Sequence, residues 1–265
     1  MENYLEINKK SWNAKVETHM KSDFYFMDEF LAGRNSLNAI ELPLLGDLEG
    51  KSVLHLQCHF GQDSISLSRM GAKVTAVDLS DKAIDEAKIL AQKCNVDTHF
   101  ICSDLYNLPN VLDEKFDLIF TSYGTIGWLP DLQKWAHVID HFLKLDGELV
   151  MADFHPVVWM YDDDFNGIAY NYFNEKPIAE TYEGTYADFS ADIVEDYVMW
   201  NHPISEILQS LMDNHLTLAQ FQEFDWSPYP CFKHITEFEK GKWRITKFGD
   251  KIPMVYAIKA KKKSS

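Results

Sequence analysis

From Lys51 to His155, short apolar runs alternate with stretches of helical spacing. Val53-Leu54-His55-Leu56 predicts a strand, and the polar turn Gln57 to Gly61 ends it. Helical spacing follows over Asp63 to Met70, and a second apolar run, Val74 to Val77, ends in Asp78. Ser80 suits a helix N-cap; Ala83, Ile84, Ala87, Leu90 and Ala91 share one face of the helix it would start, which runs to Lys93. Further strands are predicted over His99 to Cys102, Phe116 to Phe120 and Glu148 to Asp153, with a helix over Leu132 to Leu143. Strands alternating with helices imply a parallel sheet with right-handed crossovers, and such sheets bind ligands beyond their C-terminal strand ends.

The flanks follow other patterns. Residues 1–45 are amphipathic and rich in aromatics (Tyr4, Trp12, Phe24, Tyr25, Phe26, Phe30), with helices predicted over Ser11 to His19 and Ser36 to Leu45. They are read either as packing on the core or as a helical lid over a ligand. Residues 156–202 switch to short alternating runs, such as Ile168 to Phe173 and Ile193 to Trp200, punctuated by Gly167 and Gly184. This predicts an inserted antiparallel cap. Residues 203–260 should complete the sheet with a helix over Ile204 to Asn214 and two antiparallel strands, Leu216 to Phe224 and Met254 to Lys259. Neither repeats nor low-complexity linkers divide these parts, so residues 1–265 are expected to form one domain around a core of residues 51–155.

Composition narrows the function. Hydrophobic residues make up 46% of the 265, enough for a sizeable core. With 41 acidic and 25 basic residues the net charge is −16, which repels phosphate backbones and argues against a nucleic-acid partner. The basic run Lys259 to Lys263 reads as a solvated tail. No apolar run is long enough to span a membrane, and the amino terminus lacks a signal-peptide core, so a cytoplasmic location is expected. Cys58, Cys94, Cys102 and Cys231 have no paired spacing and suit reduced thiols.

The candidate chemistry lies at the predicted strand ends: Gln57 to Gly61, Asp78, Ser103-Asp104, Thr121 to Gly124, and Asp153 to His155. The order strand, turn, helix, strand, Asp78 suits a nucleoside, because one carboxylate can accept from two ribose hydroxyls. His155 follows the last parallel strand and is a candidate base, with Asp153 orienting it or binding substrate; a turn-capping role is open for the same histidine. His55, Cys58, His59 and Cys102 lack a second paired motif and so do not predict zinc. Asp162-Asp163-Asp164 lacks the interspersed spacing of a calcium loop and reads as a solvated turn.

Taken together, VLHLQCHFGQDS, VTAVDLS, FICSDLY, FDLIFTSYG and HFLKLDGELVMADFHP resemble the class I S-adenosylmethionine-dependent methyltransferases over most of residues 36–155. The LHLQCHFG loop and the DFHP ending resemble a bacterial small-molecule subfamily. The resemblance implies a Rossmann-like, mostly parallel seven-stranded sheet with an antiparallel C-terminal hairpin, and S-adenosylmethionine as cofactor. It implies that Gly61 turns the loop against the cofactor and that Asp78 accepts from its ribose. Leu79 would pack on adenine, while Ser103 and Asp104, with Leu105 beside them, meet the adenine amino group. Thr121 would offer backbone groups to the sulfonium end. Tyr123 and Trp128 would wall the transfer site, although a core position is also open for Trp128. Fourth-strand acids, which hold Mg²⁺ in catechol-type relatives, are replaced by Thr121-Ser122-Tyr123, so no metal is expected.

The loop departs from the usual acid-x-Gly-x-Gly-x-Gly. His55, Gln57 and His59 stand where the acid and the first two glycines are expected, and only Gly61 remains. Side chains of Gln57 or His59 are therefore expected to share in holding the methionine end. The expected function is in-line methyl transfer to a small-molecule acceptor, compact and cationic or aromatic, enclosed by the cap. Two rivals keep the same frame: a nicotinamide-dependent oxidoreductase, which the missing Gly-x-Gly-x-x-Gly opposes, and a nucleoside-binding module without activity, which the eroded loop favours.

Overall fold

The computed structural model describes residues 3–263. The chain begins with α1 (Tyr4–Lys21), α2 (Met27–Leu31) and α3 (Leu42–Leu45). It then alternates through β1 (Ser52–Leu56), α4 (Gln62–Arg69), β2 (Lys73–Asp78), α5 (Asp81–Lys93), β3 (Thr98–Cys102), β4 (Phe116–Ser122), α6 (Leu132–Phe142) and β5 (Leu143–Phe154). A hairpin of β6 (Ile178–Glu183) and β7 (Val194–Met199) precedes α7 (Ile204–Asp213) and β8 (Leu216–Phe224). A second hairpin, β9 (Ile235–Glu239) and β10 (Lys242–Ile245), leads to β11 (Val255–Lys262).

Seven strands form the main sheet in the order β3-β2-β1-β4-β5-β11-β8. The first five run parallel, and β11 lies antiparallel to both β5 and β8. This is the Rossmann-like, mostly parallel sheet that the resemblance implied, with antiparallel hairpins added. Alternation along the strands divides the core. Val53, Leu118, Phe120 and Val150 pack with Ile65 of α4, Ile84 and Leu90 of α5, and Leu44 and Leu45 of α3. Leu54, Ile119, Leu149 and Met151 pack with Trp135 and Ile139 of α6 and with Ile207 of α7. Fully burying each such side chain contributes roughly 1.5–3 kcal/mol, so the three-layer sandwich holds the strand ends rigid.

Two predicted elements differ. Only Leu42–Leu45 of the predicted Ser36 to Leu45 helix is helical. Pro43 sits in its first turn, and residues 35–38 are drawn into side-chain bonds: Asn35 Oδ1 accepts the Leu37 N–H and Glu41 Oε1 accepts the Asn38 N–H. The run Ile168 to Phe173 forms a single antiparallel bridge, Tyr161 with Ile168, instead of a strand. The cap hairpin is β6–β7, in register from Ile178 opposite Met199 to Glu183 opposite Val194.

Candidate active site

The C-terminal ends of β1, β2, β3, β4 and β5 open into a cavity of about 1010 Å³, roofed by α1 and the 156–202 segment. Its first wall is the loop after β1. Gln57 and His59 have φ of 55° and 52°, and Gly61 has φ of 83°. The missing glycines thus leave their left-handed backbone behind. A left-handed L-residue costs roughly 1–2 kcal/mol, and neighbours offset it. Gln57 Nε2 donates to Thr125 O at 2.8 Å, and the His59 N–H donates to Asp78 Oδ2 at 2.7 Å. The His59 ring stacks on Tyr25 and meets Trp12 edge-on at 5.4 Å between centroids. At Gly61 no side chain fits, because a Cβ there would lie 2.8 Å from Cε1 of Phe100.

Asp78, at the end of β2, accepts the Ser80 N–H at 2.8 Å as well as that of His59, and burial raises its pKa against these bonds. Leu79, Ser103, Asp104 and Leu105 continue the wall beneath Tyr4 of α1. Burial raises the Asp104 pKa, and the backbone amides of Tyr106 and Asn107 oppose the shift. On the β4 side Tyr123 has φ of 42°, and its hydroxyl donates to Glu41 Oε2 at 2.7 Å. Burial pushes Glu41 up to about 7, despite bonds from Asn38 and Tyr123. Trp128 Nε1 donates to Gly124 O at 2.6 Å, and its ring meets Trp12 edge-on at 5.3 Å.

The cavity therefore brings together Gln57, Gly61, Asp78, Leu79, Ser103, Asp104, Leu105, Tyr123, Trp128 and Asp153. Three expectations need correction. Thr121 does not line it: β4 runs on to Ser122, so the Thr121 backbone lies within the ladder opposite Met151, and its hydroxyl turns to Thr125. Nor does His155, whose imidazole packs edge-on against Tyr256 just after the end of β5. There Nδ1 accepts the Val157 N–H, which leaves Nε2–H to donate to Glu223 at 2.9 Å, so both ring nitrogens are engaged. Asp153 reaches the cavity wall with its carboxylate already taken by the N–H groups of Gly124, Thr125, Ile126 and Phe154 and by the Thr125 hydroxyl. It anchors the turn after β4 and has no free oxygen for a substrate.

Several lining residues were missed from the sequence: Asn8, Trp12 and Lys15 of α1, Asp63 of α4, and Tyr186 and Tyr229. Those on α1 had a signal. Asn8, Ser11, Lys15 and His19 recur at helical spacing and are all buried, which marks a polar face turned inward.

Residues 53–147 match the family described as methyltransferase domain. A ubiquinone biosynthesis O-methyltransferase of Coxiella burnetii is 29% identical over 68% of this chain and 70% of its own length. An uncharacterized methyltransferase of Bacillus subtilis is 25% identical over 59% of this chain and 65% of its own. The solved S-adenosylmethionine-dependent methyltransferase of Clostridium acetobutylicum superposes with a TM-score of 0.58, at 16% identity, over 97% of this chain and 99% of its own. Residues 53–147 are a methyltransferase domain, and the fold is that of the class I S-adenosylmethionine-dependent methyltransferases. The residues of this methyltransferase fit that cofactor on the structure's own terms: a carboxylate closes β2, a glycine without room for a side chain turns the β1 loop, and Gln57 Oε1 is buried with no hydrogen-bond partner among the described residues. No helix is long and apolar enough to cross a membrane, and no cluster of three His, Cys, Asp or Glu is placed to hold a metal ion among the described residues.

Proposed function

We propose that this methyltransferase acts on a compact, largely apolar or aromatic small molecule. The observation that carries the proposal is the aromatic share of the cavity lining: Tyr123, Phe154, Trp159, Tyr229 and Phe232. Tyr123 and Tyr229 meet at 5.1 Å between centroids and 82° between planes, and Phe154 and Phe232 at 5.0 Å and 79°. Such walls recognise flat apolar surface and exclude water. When bound, S-adenosylmethionine supplies an electrophilic methyl group, which an aligned acceptor lone pair takes in one in-line displacement.

In this reading Asp78 accepts from the ribose, Asp104 meets the adenine edge, Leu79 and Leu105 pack on the base, and the β1 loop holds the methionine end. An acceptor that carries an exchangeable proton would pass it to Tyr123 Oη while the Tyr123 proton moves to Glu41 Oε2, the partner it already donates to at 2.7 Å. Glu41, pushed up to about 7, is then a proton sink matched to neutral pH.

The test begins with a thermal-shift comparison. S-adenosylhomocysteine at 100 times its Kd should stabilise the protein by about 2.7 kcal/mol, a rise of roughly 5–10 °C for a chain of this size. Nicotinamide dinucleotides should give none; the reverse result would turn the reading into the oxidoreductase one. Transfer of labelled methyl to members of a panel of small aromatic metabolites then separates an enzyme from a binding module.

A further inference from the structure

Lys15 is a buried cation in need of an anion. It is 8% exposed, and among the described residues it makes no hydrogen bond and no ion pair. Its Nζ lies 5.0 Å from the ring centroid of Trp12 and 5.8 Å from that of Trp128. The carboxylate with the strongest pull on it, Glu195, is instead paired with Lys10 at 3.0 Å. Burial lowers the Lys15 pKa to about 8, against that pull. A charge in this state costs stability that two indole faces offset only in part. Nothing in its packing calls for an ammonium group, but the cavity it lines would give one a purpose.

The complement lies across the same wall. Gln57 Oε1 is a buried acceptor without a donor, while its Nε2 holds Thr125 O at 2.8 Å. Trp128, under the Lys15 ammonium, holds the neighbouring carbonyl of Gly124 at 2.6 Å. Lys15 and Gln57 are thus set by one turn, residues 124–125, and offer a cation and a neutral acceptor. A free amino-acid head, with its carboxylate and ammonium on one carbon, satisfies both.

We propose that Lys15 takes the α-carboxylate, and Gln57 Oε1 the α-ammonium, of the amino-acid head of S-adenosylmethionine. The assignment rests on the cofactor reading above. It makes α1 part of the cofactor site and not only its cover. It also accounts for an amide side chain where the loop of relatives carries glycine: the side chain reaches the head that backbone groups would otherwise approach.

The test is calorimetric binding to the full chain of three nucleosides: S-adenosylhomocysteine, its decarboxylated form, and methylthioadenosine, which lacks the whole head. Wild type should favour S-adenosylhomocysteine over methylthioadenosine by at least about 100-fold. Lys15→Met should weaken S-adenosylhomocysteine by about 30- to 1000-fold, the usual cost of removing one partner of a buried charge pair, and leave the other two ligands within about threefold. Lys15→Arg should recover most of the loss. Free Lys15→Met should melt no lower than wild type, since it removes an unpaired buried charge. Equal weakening of all three ligands, or a lower melting temperature without ligand, would make Lys15 structural and overturn the assignment. Wild-type protein that binds none of the three overturns the cofactor reading, and this assignment with it; wild-type binding with unchanged discrimination in Lys15→Met overturns the assignment alone.

Discussion

At Gly61 two constraints coincide, a φ of 83° and a Cβ position 2.8 Å from the Phe100 ring. Gly61→Ala should therefore cost about 2–4 kcal/mol, from the left-handed backbone and overpacking together, read as a lower urea midpoint. Glu41 gives a second residue-scale prediction. Its folded pKa, about 7, lies above the ordinary 4.5, so its contribution to stability is full below pH 4.5 and is lost as pH rises through 7. Replacing it with Gln should remove that loss. Between acid and pH 8 the stability of Glu41→Gln should gain on wild type by up to about 3 kcal/mol. Asp63, Tyr123 and Tyr229 face the same carboxylate: the charge of Asp63 raises its pKa further, while the bonds donated by the Tyr123 hydroxyl and the Asn38 N–H oppose the rise. Parallel pH profiles for the two proteins would mean that folding does not shift the Glu41 pKa. His155 contrasts with both. Position along the chain put it at a strand end, but its ring is taken up there by the Val157 N–H, Glu223 and Tyr256 and does not reach the cavity. Thr121 failed because β4 runs on to Ser122 and keeps the Thr121 backbone in the ladder. Sequence patterning locates strand ends to within a residue or two, and a single residue decides which side of the sheet a side chain serves.

At the scale of elements, the parallel core was legible because its apolar runs are short, strong and bounded by turn residues. The roof was not. Its main joint is a side chain on backbone: Asn8 Nδ2 donates to Val198 O at 2.8 Å, and Asn8 Oδ1 accepts the Val198 N–H at 2.9 Å. This pair imitates a strand ladder and docks α1 on β7. On its other flank α1 is tied to the start of α5, where Ser80 Oγ donates to Asn13 Oδ1 at 2.6 Å and Lys9 pairs with Asp81 at 2.8 Å. Neither joint leaves a pattern of apolar periodicity. In this structure α1 is thus bonded on one side to the cap and on the other to the Asp78 corner. Asn8→Ala would leave the Val198 N–H and C=O unpaired, a local cost of about 2–4 kcal/mol. Amide exchange over residues 4–21 and 194–199 should then quicken while β4 keeps its protection; uniform acceleration would mean that roof and sheet open together.

At the scale of the whole molecule, the net charge of −16 and an aromatic cavity of about 1010 Å³ support the proposed small acceptor and oppose ligands of high negative charge. The Asn8–Val198 joint carries a further consequence, for the order in which the protein is made and unmade. Its two halves are 190 residues apart. Joining ends so distant costs about 4–5 kcal/mol in chain entropy beyond a constant term, which only an assembled sheet can hold down. The ligand pocket is then the last part of the molecule to mature after synthesis and the first to be lost under stress. In a urea titration, binding of S-adenosylhomocysteine should disappear at a lower concentration than the far-ultraviolet circular dichroism of the sheet and helices. A nascent chain released short of Val198 would lack the roof joint as well as β8 and β11, and would carry no working site.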